Sequence, residues 1–213
     1  MKKILLITAV ILLAVSCHKE PYLDSDNEYL VYTSPGKDVT FTSFRTFDLA
    51  DSLLIIGQSA KPEYSQSNNA LALIQAVRTG MENMGYIYTP DNPNADLGIQ
   101  MTYVVKTERY LQYYNDPYWW LDYPGYWSPG FWGNYTGFYY PYPVTYTYST
   151  NALMIDMVNL TTPKTGTEAL EVVWSTYIGG PSTGSITTDV DLMKNAINQA
   201  FVQSPYLKKS AAK

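Results

Sequence analysis

Two periodicities and one unbroken run divide the chain. Residues 4–15 are apolar except for Thr8 and follow a positive start at Lys2 and Lys3. Between 68 and 84, Leu71, Ile74, Val77, Met81 and Met84 recur at three- and four-residue steps, the period of one helix face. Ser67 or Asn68 can cap the start of this helix and Gly85 its end. Val190, Met193, Ile197 and Phe201 mark a second helix, opened by a Thr188 and Asp191 capping box and stopped before Pro205. Shorter runs at 29–33, 43–49, 86–88, 96–109, 151–159 and 168–178 read as strands or extended chain. The turn pair Pro35-Gly36 closes the first of these. In the last run Leu170, Val172 and Trp174 alternate with Glu171, Val173 and Ser175, so one face is expected to be buried. Pro163-Lys164-Thr165-Gly166 joins the last two runs as a hairpin. This order predicts an α+β fold: an antiparallel or mixed sheet with two helices packed on one face, plus a Tyr/Trp/Pro-rich insert.

The first apolar run is shorter than the roughly 20 residues that a membrane-spanning helix needs. Its length suits a signal-peptide core. It ends in Ala14-Val15-Ser16-Cys17, which resembles the lipobox of bacterial lipoproteins, with Ala14 where leucine is commoner. The resemblance implies removal of residues 1–16, a diacylglyceryl thioether on Cys17 and acylation of the new amino terminus. A thiolate is the side chain suited to accept a lipid at neutral pH. At about 0.8 kcal/mol per buried methylene, three acyl chains hold a protein firmly at a membrane. Cys17 is the only cysteine, so an exported domain here forms no disulfides and must rely on its core. Residues 17–28 are polar and aperiodic and read as a lipidated flexible tether. The single domain then spans 29–206, with the insert at 110–148, and 207–213 read as a disordered tail. His18, rather than Asp, after the cysteine implies the outer membrane. Cys17-His18-Lys19-Glu20 loosely resembles a surface-export signal, but Pro21 stands where a second acid is expected. A periplasm-facing protein is therefore expected ahead of a cell-surface one.

Charge and residue types exclude several functions. Without Lys2 and Lys3 the 14 Lys+Arg become 12, against 19 Asp+Glu, a formal charge of −7. An acidic chain with no basic run lacks the footprint of a nucleic-acid binder. The 46% apolar content is that of a globular domain. His18, the sole histidine, lies in the tether. That removes Ser-His-Asp and Cys-His catalysis and the usual His/Cys zinc site; neither metal nor cofactor is expected. Ser34-Pro35-Gly36-Lys37 and Lys164-Thr165-Gly166 match penicillin-binding-protein motifs in letters only. The former falls in a turn rather than on a helix, and the latter in a hairpin loop. The carboxylates Asp96, Glu108, Asp122 and Asp156 could supply acid and base for a glycosidase, but no spacing singles out a pair. Asp156, in an apolar strand, is expected to face outward or to be a hydrogen-bonded structural residue. The chain is not read as an enzyme.

The insert is the compositional oddity. Its 39 residues hold 12 Tyr, 4 Trp and 2 Phe, broken by five prolines and four glycines. It can be neither one helix nor one central strand. Tyr and Trp join a flat apolar face to a polar edge, which suits interfaces. Three readings stand: a lid that completes the core, a protein-binding surface, or rings stacked on glycan such as peptidoglycan. Trp119, Trp120, Trp127, Trp132, Tyr126, Tyr139 and Tyr140 are the candidate binding residues. The expected function is a membrane-anchored, non-enzymatic binding or accessory subunit with an envelope protein partner; the alternative is a glycan-binding module.

Four short motifs carry a family resemblance. They are Phe41-Thr42-Ser43-Phe44-Arg45-Thr46-Phe47, Ala95-Asp96-Leu97, Asn151-Ala152-Leu153-Met154-Ile155-Asp156-Met157-Val158 and Val173-Trp174. In this order, over roughly 30–205, the chain resembles the bacterial lipoprotein family called domain of unknown function 4136. It departs at Asn151, where glycine is frequent, and at Asn159, where aspartate is frequent. The resemblance implies the fold and an envelope location, and it brings no activity.

Overall fold

A computed structural model of the protein describes residues 29–56, 63–90, 94–105, 138–139, 151–161, 169–180 and 186–209. Three long strands form its centre: β6 (Leu97–Val104), β8 (Ala152–Asn159) and β9 (Leu170–Gly179). The middle strand β8 runs antiparallel to both β6 and β9, with Ile99 opposite Met157 and Met157 opposite Trp174. β1 (Leu30–Pro35) adds antiparallel to β9 and starts the strand order β1-β9-β8-β6-β2-β5. An edge position tolerates Pro35, whose missing N–H then costs no ladder bond. On the far side of β6, β2 (Thr46–Leu49) and β3 (Leu53–Ile56) lie end to end, both parallel to it. β4 (Glu63–Ser65) pairs with β3, β5 (Ile87–Tyr88) with β2, and β7 (Phe138–Tyr139) with Leu170 and Glu171 of β9. The sheet is mixed, and the fold is α+β.

Helices α1 (Asn68–Asn83) and α2 (Ile186–Val202) share one face of this sheet. The Ser67 hydroxyl caps α1 by accepting from the Ala70 N–H at 3.3 Å. Beyond its C-terminus Gly85 has φ +95°, a left-handed position that glycine adopts without Cβ strain. The buried stripe of α1 is Ala70, Leu73, Val77, Gly80 and Met81. This corrects the expected stripe by part of a turn: Leu71 faces outward, 44% exposed, because small Ala70 and Gly80 let α2 approach closely. α2 starts at Ile186, so Thr188 lies inside the helix rather than at its cap.

Asp96, from the Ala-Asp-Leu motif, is the clasp between β2 and β6. Its carboxylate accepts from the Arg45 and Thr46 N–H groups at 2.6 and 3.0 Å, and its own N–H donates to the Thr46 hydroxyl at 3.0 Å. Asn151 has φ +63° at the entry to β8. Glycine fits such a position best and Asn tolerates it next best, which accounts for the departure noted there.

The chain stays packed past residue 206, where a disordered tail was expected. Leu207 is fully buried, the Lys209 N–H donates to the Met84 carbonyl at 2.9 Å, and the Lys209 ammonium donates to the Phe44 carbonyl. Tyr86 fastens the same corner, its hydroxyl donating to the Leu207 carbonyl at 3.0 Å and the Phe41 carbonyl at 3.3 Å. Burial pushes this phenol up from 10.0 to about 12. Below pH 10 folded and unfolded chains both keep the proton. From pH 10 to about 12 only the folded chain keeps it, so stability falls as pH rises through that window. At about 1.4 kcal/mol per unit, the loss is on the order of 2–3 kcal/mol. Urea midpoints measured across pH 9–12 should fall in the wild type and fall less in Tyr86→Phe. Equal slopes in the two proteins would show that Tyr86 does not carry the effect.

Candidate functional site

Where both helices begin, the layer between helices and sheet opens into a cleft of about 310 Å³. Its apolar wall comes from Leu53 and Ile55 of β3, Leu73 of α1 and Met193 of α2. Register fixes this: Ile55 pairs with Tyr103 of β6, so both side chains emerge on the helix face. Ser65, Ser67 and Asn69 stand at the mouth with Asp189, which lies in the first turn of α2. Two phenols feel that carboxylate. Burial raises Tyr103 first, and the Asp189 charge adds to it. Tyr29 is pushed up to about 12 by burial, then by Asp189 and Tyr103. Both rings thus stay protonated hydrogen-bond donors at any physiological pH. The Tyr29 ring lies against Gly180, where a Cβ would come within 2.6 Å of it. None of these residues was singled out from the sequence as a site residue; Ser67 and Met193 entered only as a helix cap and as part of a helix stripe. The run Leu53-Leu54-Ile55-Ile56, a short unbroken apolar segment, was the available signal for β3.

The opposite face of the sheet carries a buried polar row. Gln100, Asp156 and Ser175 are cross-strand neighbours on β6, β8 and β9, at most 4% exposed, and Thr102 beside them is fully buried. Leu170, Val172 and Trp174 of β9 are buried as expected, and Val173 and Ser175 between and beside them are buried as well. Asp156 is 1% exposed and engaged in an interaction, so it is not an outward residue. Gln100 donates its amide to the Met101 carbonyl at 3.0 Å, while the Thr102 hydroxyl has no partner among the described residues. Asp96 sits four residues along β6 from Gln100, roughly 13 Å by strand rise. The fold therefore does not bring Asp96 and Asp156 together.

Cys17, Trp119, Trp120, Tyr126, Trp127, Trp132 and Tyr140 lie outside the described residues, as do Glu108 and Asp122. Of the candidate binding residues only Tyr139 is placed, by its backbone, in β7 opposite Glu171. No helix among the described residues is long and apolar enough to cross a membrane. No cluster of three or more His, Cys, Asp or Glu able to hold a metal occurs among them.

These features define a class, a mixed-sheet α+β domain with two helices on one face and both faces of its central strands buried. The chain belongs to the family described as domain of unknown function DUF4136, whose model matches residues 31–206. A crystal structure of a DUF4136 family protein from Bacteroides thetaiotaomicron VPI-5482 is similar at 45% identity and TM-score 0.79, over 87% of this chain and 100% of that one. A PelC dodecamer from Paraburkholderia phytofirmans aligns at 10% identity and TM-score 0.40, over 86% of this chain and 99% of that one. No curated protein matches the chain.

Proposed function

We propose that the protein is a lipid-anchored lipoprotein of the bacterial outer membrane, facing the periplasm, that works as a non-enzymatic binding or accessory subunit. The observation that carries this reading is Cys17, the only cysteine, standing directly after a 12-residue apolar run and a small-residue step. A reactive thiol at that place serves as the acceptor of a diacylglyceryl group, joined through a thioether. Binding is assigned to the aromatic segment 110–148, in which 18 of 39 residues are Tyr, Trp or Phe. Aromatic rings of this kind supply much of the energy of protein interfaces. One experiment tests both parts. Cells labelled with a fatty-acid analogue should yield labelled, membrane-bound wild-type protein, and the Cys17→Ser product should lose the label and its membrane fractionation. Trp119→Ala with Trp120→Ala should keep the label and lose crosslinks to an envelope protein. Labelled Cys17→Ser would overturn the anchor, and unchanged crosslinks in the double variant would overturn the binding surface.

A further inference from the structure

The central strands are buried on a face where no described helix lies. Both helices and both 3-10 turns, Phe41–Ser43 and Pro205–Leu207, join the core built on Ile99, Ile155 and Met157. The alternate residues of the same strands point the other way. Register places Tyr32, Tyr177, Met154, Thr102, Leu54 and Tyr64 in one row across that second face. The four central members are at most 2% exposed, while Tyr32 and Tyr64 at the two ends are 45% and 50% exposed. Burial this complete needs packed atoms over the centre of the face. The path of the chain says which segment can supply them. β6 ends at Val104 opposite Ala152, where β8 begins, so segment 106–150 leaves and re-enters at one end of the central strands. Between those points Phe138 and Tyr139 pair with Leu170 and Glu171, at the far end of β9. The chain therefore travels the length of the sheet twice. From Glu171 to Gly179 is roughly 26 Å by strand rise, and the stretch 140–151 can span up to about 40 Å. The helix face is filled by α1 and α2, and the β1 edge stays half exposed, which leaves the second face for these crossings. The other internal stretches outside the described residues, 57–62, 91–93, 162–168 and 181–185, are seven residues or shorter.

We infer that segment 106–150 docks across this second face as a third layer of the domain, with aromatic rings over the central strands. The two surfaces match in chemistry. The face mixes apolar Leu54 and Met154 with the polar row of Gln100, Asp156 and Ser175, and the 12 tyrosines of 110–148 offer flat apolar rings together with hydroxyl groups. The inner side of the layer is used in this way, and its outer side remains for the partner of the proposed function. The inference stands apart from the lipid anchor and from that partner, because its test reads contacts inside the chain. Tyr32→benzoylphenylalanine, in the full chain carrying Cys17→Ser, sets a photoreactive ring at the rim of the face. Irradiation should crosslink it within the monomer to peptides from 106–150, read by mass spectrometry. Leu71→benzoylphenylalanine, on the outward side of α1, should not reach that segment. Thr102→Cys provides the one thiol of the same Cys17→Ser chain. It should react with a disulfide reagent on the order of 100-fold slower in the folded chain than in urea, since a thiol beneath packed atoms reacts only through opening. Unslowed reaction of the folded protein would show an open face and overturn the proposal. So would crosslinks from position 32 that miss 106–150, whether they reach residues 1–28, a second copy or the strands alone. Equal crosslinking of that segment from positions 32 and 71 would also overturn it.

Discussion

Trp174→Ala is expected to lower the free energy of unfolding by about 3–5 kcal/mol, the range for deleting a buried large aromatic side chain. Trp174 is fully buried on β9, and its ring stacks on Phe201 of α2 with centroids 5.8 Å apart. Its indole N–H donates to the Ser204 hydroxyl at 3.0 Å, and that hydroxyl also accepts from Tyr206 at 3.1 Å. One side chain thus joins the sheet, α2 and the 3-10 turn Pro205–Leu207. Domains of this size have only about 5–15 kcal/mol in hand, so the variant should unfold at a much lower urea concentration. Circular dichroism is the measurement, because tryptophan emission changes with the mutation itself. Ser204→Ala isolates the polar part: it strands a buried indole N–H, at a cost of about 1–3 kcal/mol. A Trp174→Ala midpoint within error of the wild type would show that this junction does not hold the sheet and helices together.

Two kinds of element were legible in the sequence, helices with one wet face and strands long enough to show as apolar runs. α1 and α2 were placed within a few residues, because a 3.6-residue period survives only if one helix face stays wet. The strands over 151–159 and 168–178 were legible as apolar runs, and their antiparallel pairing followed from the turn residues between them. Pattern failed where the second face is also covered. Gln100, Thr102, Asp156 and Ser175 are polar letters that alternation assigns to solvent, yet each is at most 4% exposed. Burial there is decided by what packs over the sheet, and no local period encodes that. β3 was missed for a related reason, since Leu53-Leu54-Ile55-Ile56 has no alternation at all and is buried mostly on both sides. The cleft was invisible because its lining joins β3, β4, β6 and both helices, up to 140 positions apart, and only parallel pairing of β3 with β6 assembles it. The rotated stripe on α1 has its own cause. Hydrophobicity favours Leu71 as a core residue, but close helix contact favours the small residues Ala70 and Gly80 at the interface.

That close contact supports the sharpest test of the packing, since two physical effects predict opposite signs for Gly80→Ala. Helix propensity alone predicts stabilisation of about 0.8–1.0 kcal/mol, because glycine is a poor residue in a helix interior. Packing predicts the reverse. A Cβ at position 80 would collide with Cε2 and Cδ2 of Phe201. The ring cannot swing aside cheaply: Phe201 is 5% exposed and stacked on Trp174. Overpacking of a dense core costs about 1–3 kcal/mol, and contacts this short put Gly80→Ala at about 3 kcal/mol or beyond, well above the propensity gain. The variant should therefore be strongly destabilised in urea unfolding. Phe201→Leu removes the ring atoms that collide and is destabilising by itself. In the double variant the added methyl should cost much less, giving a coupling of about 1–3 kcal/mol between the two sites. Simple additivity in that cycle, or stabilisation by Gly80→Ala alone, would mean that α1 and α2 do not meet at this glycine.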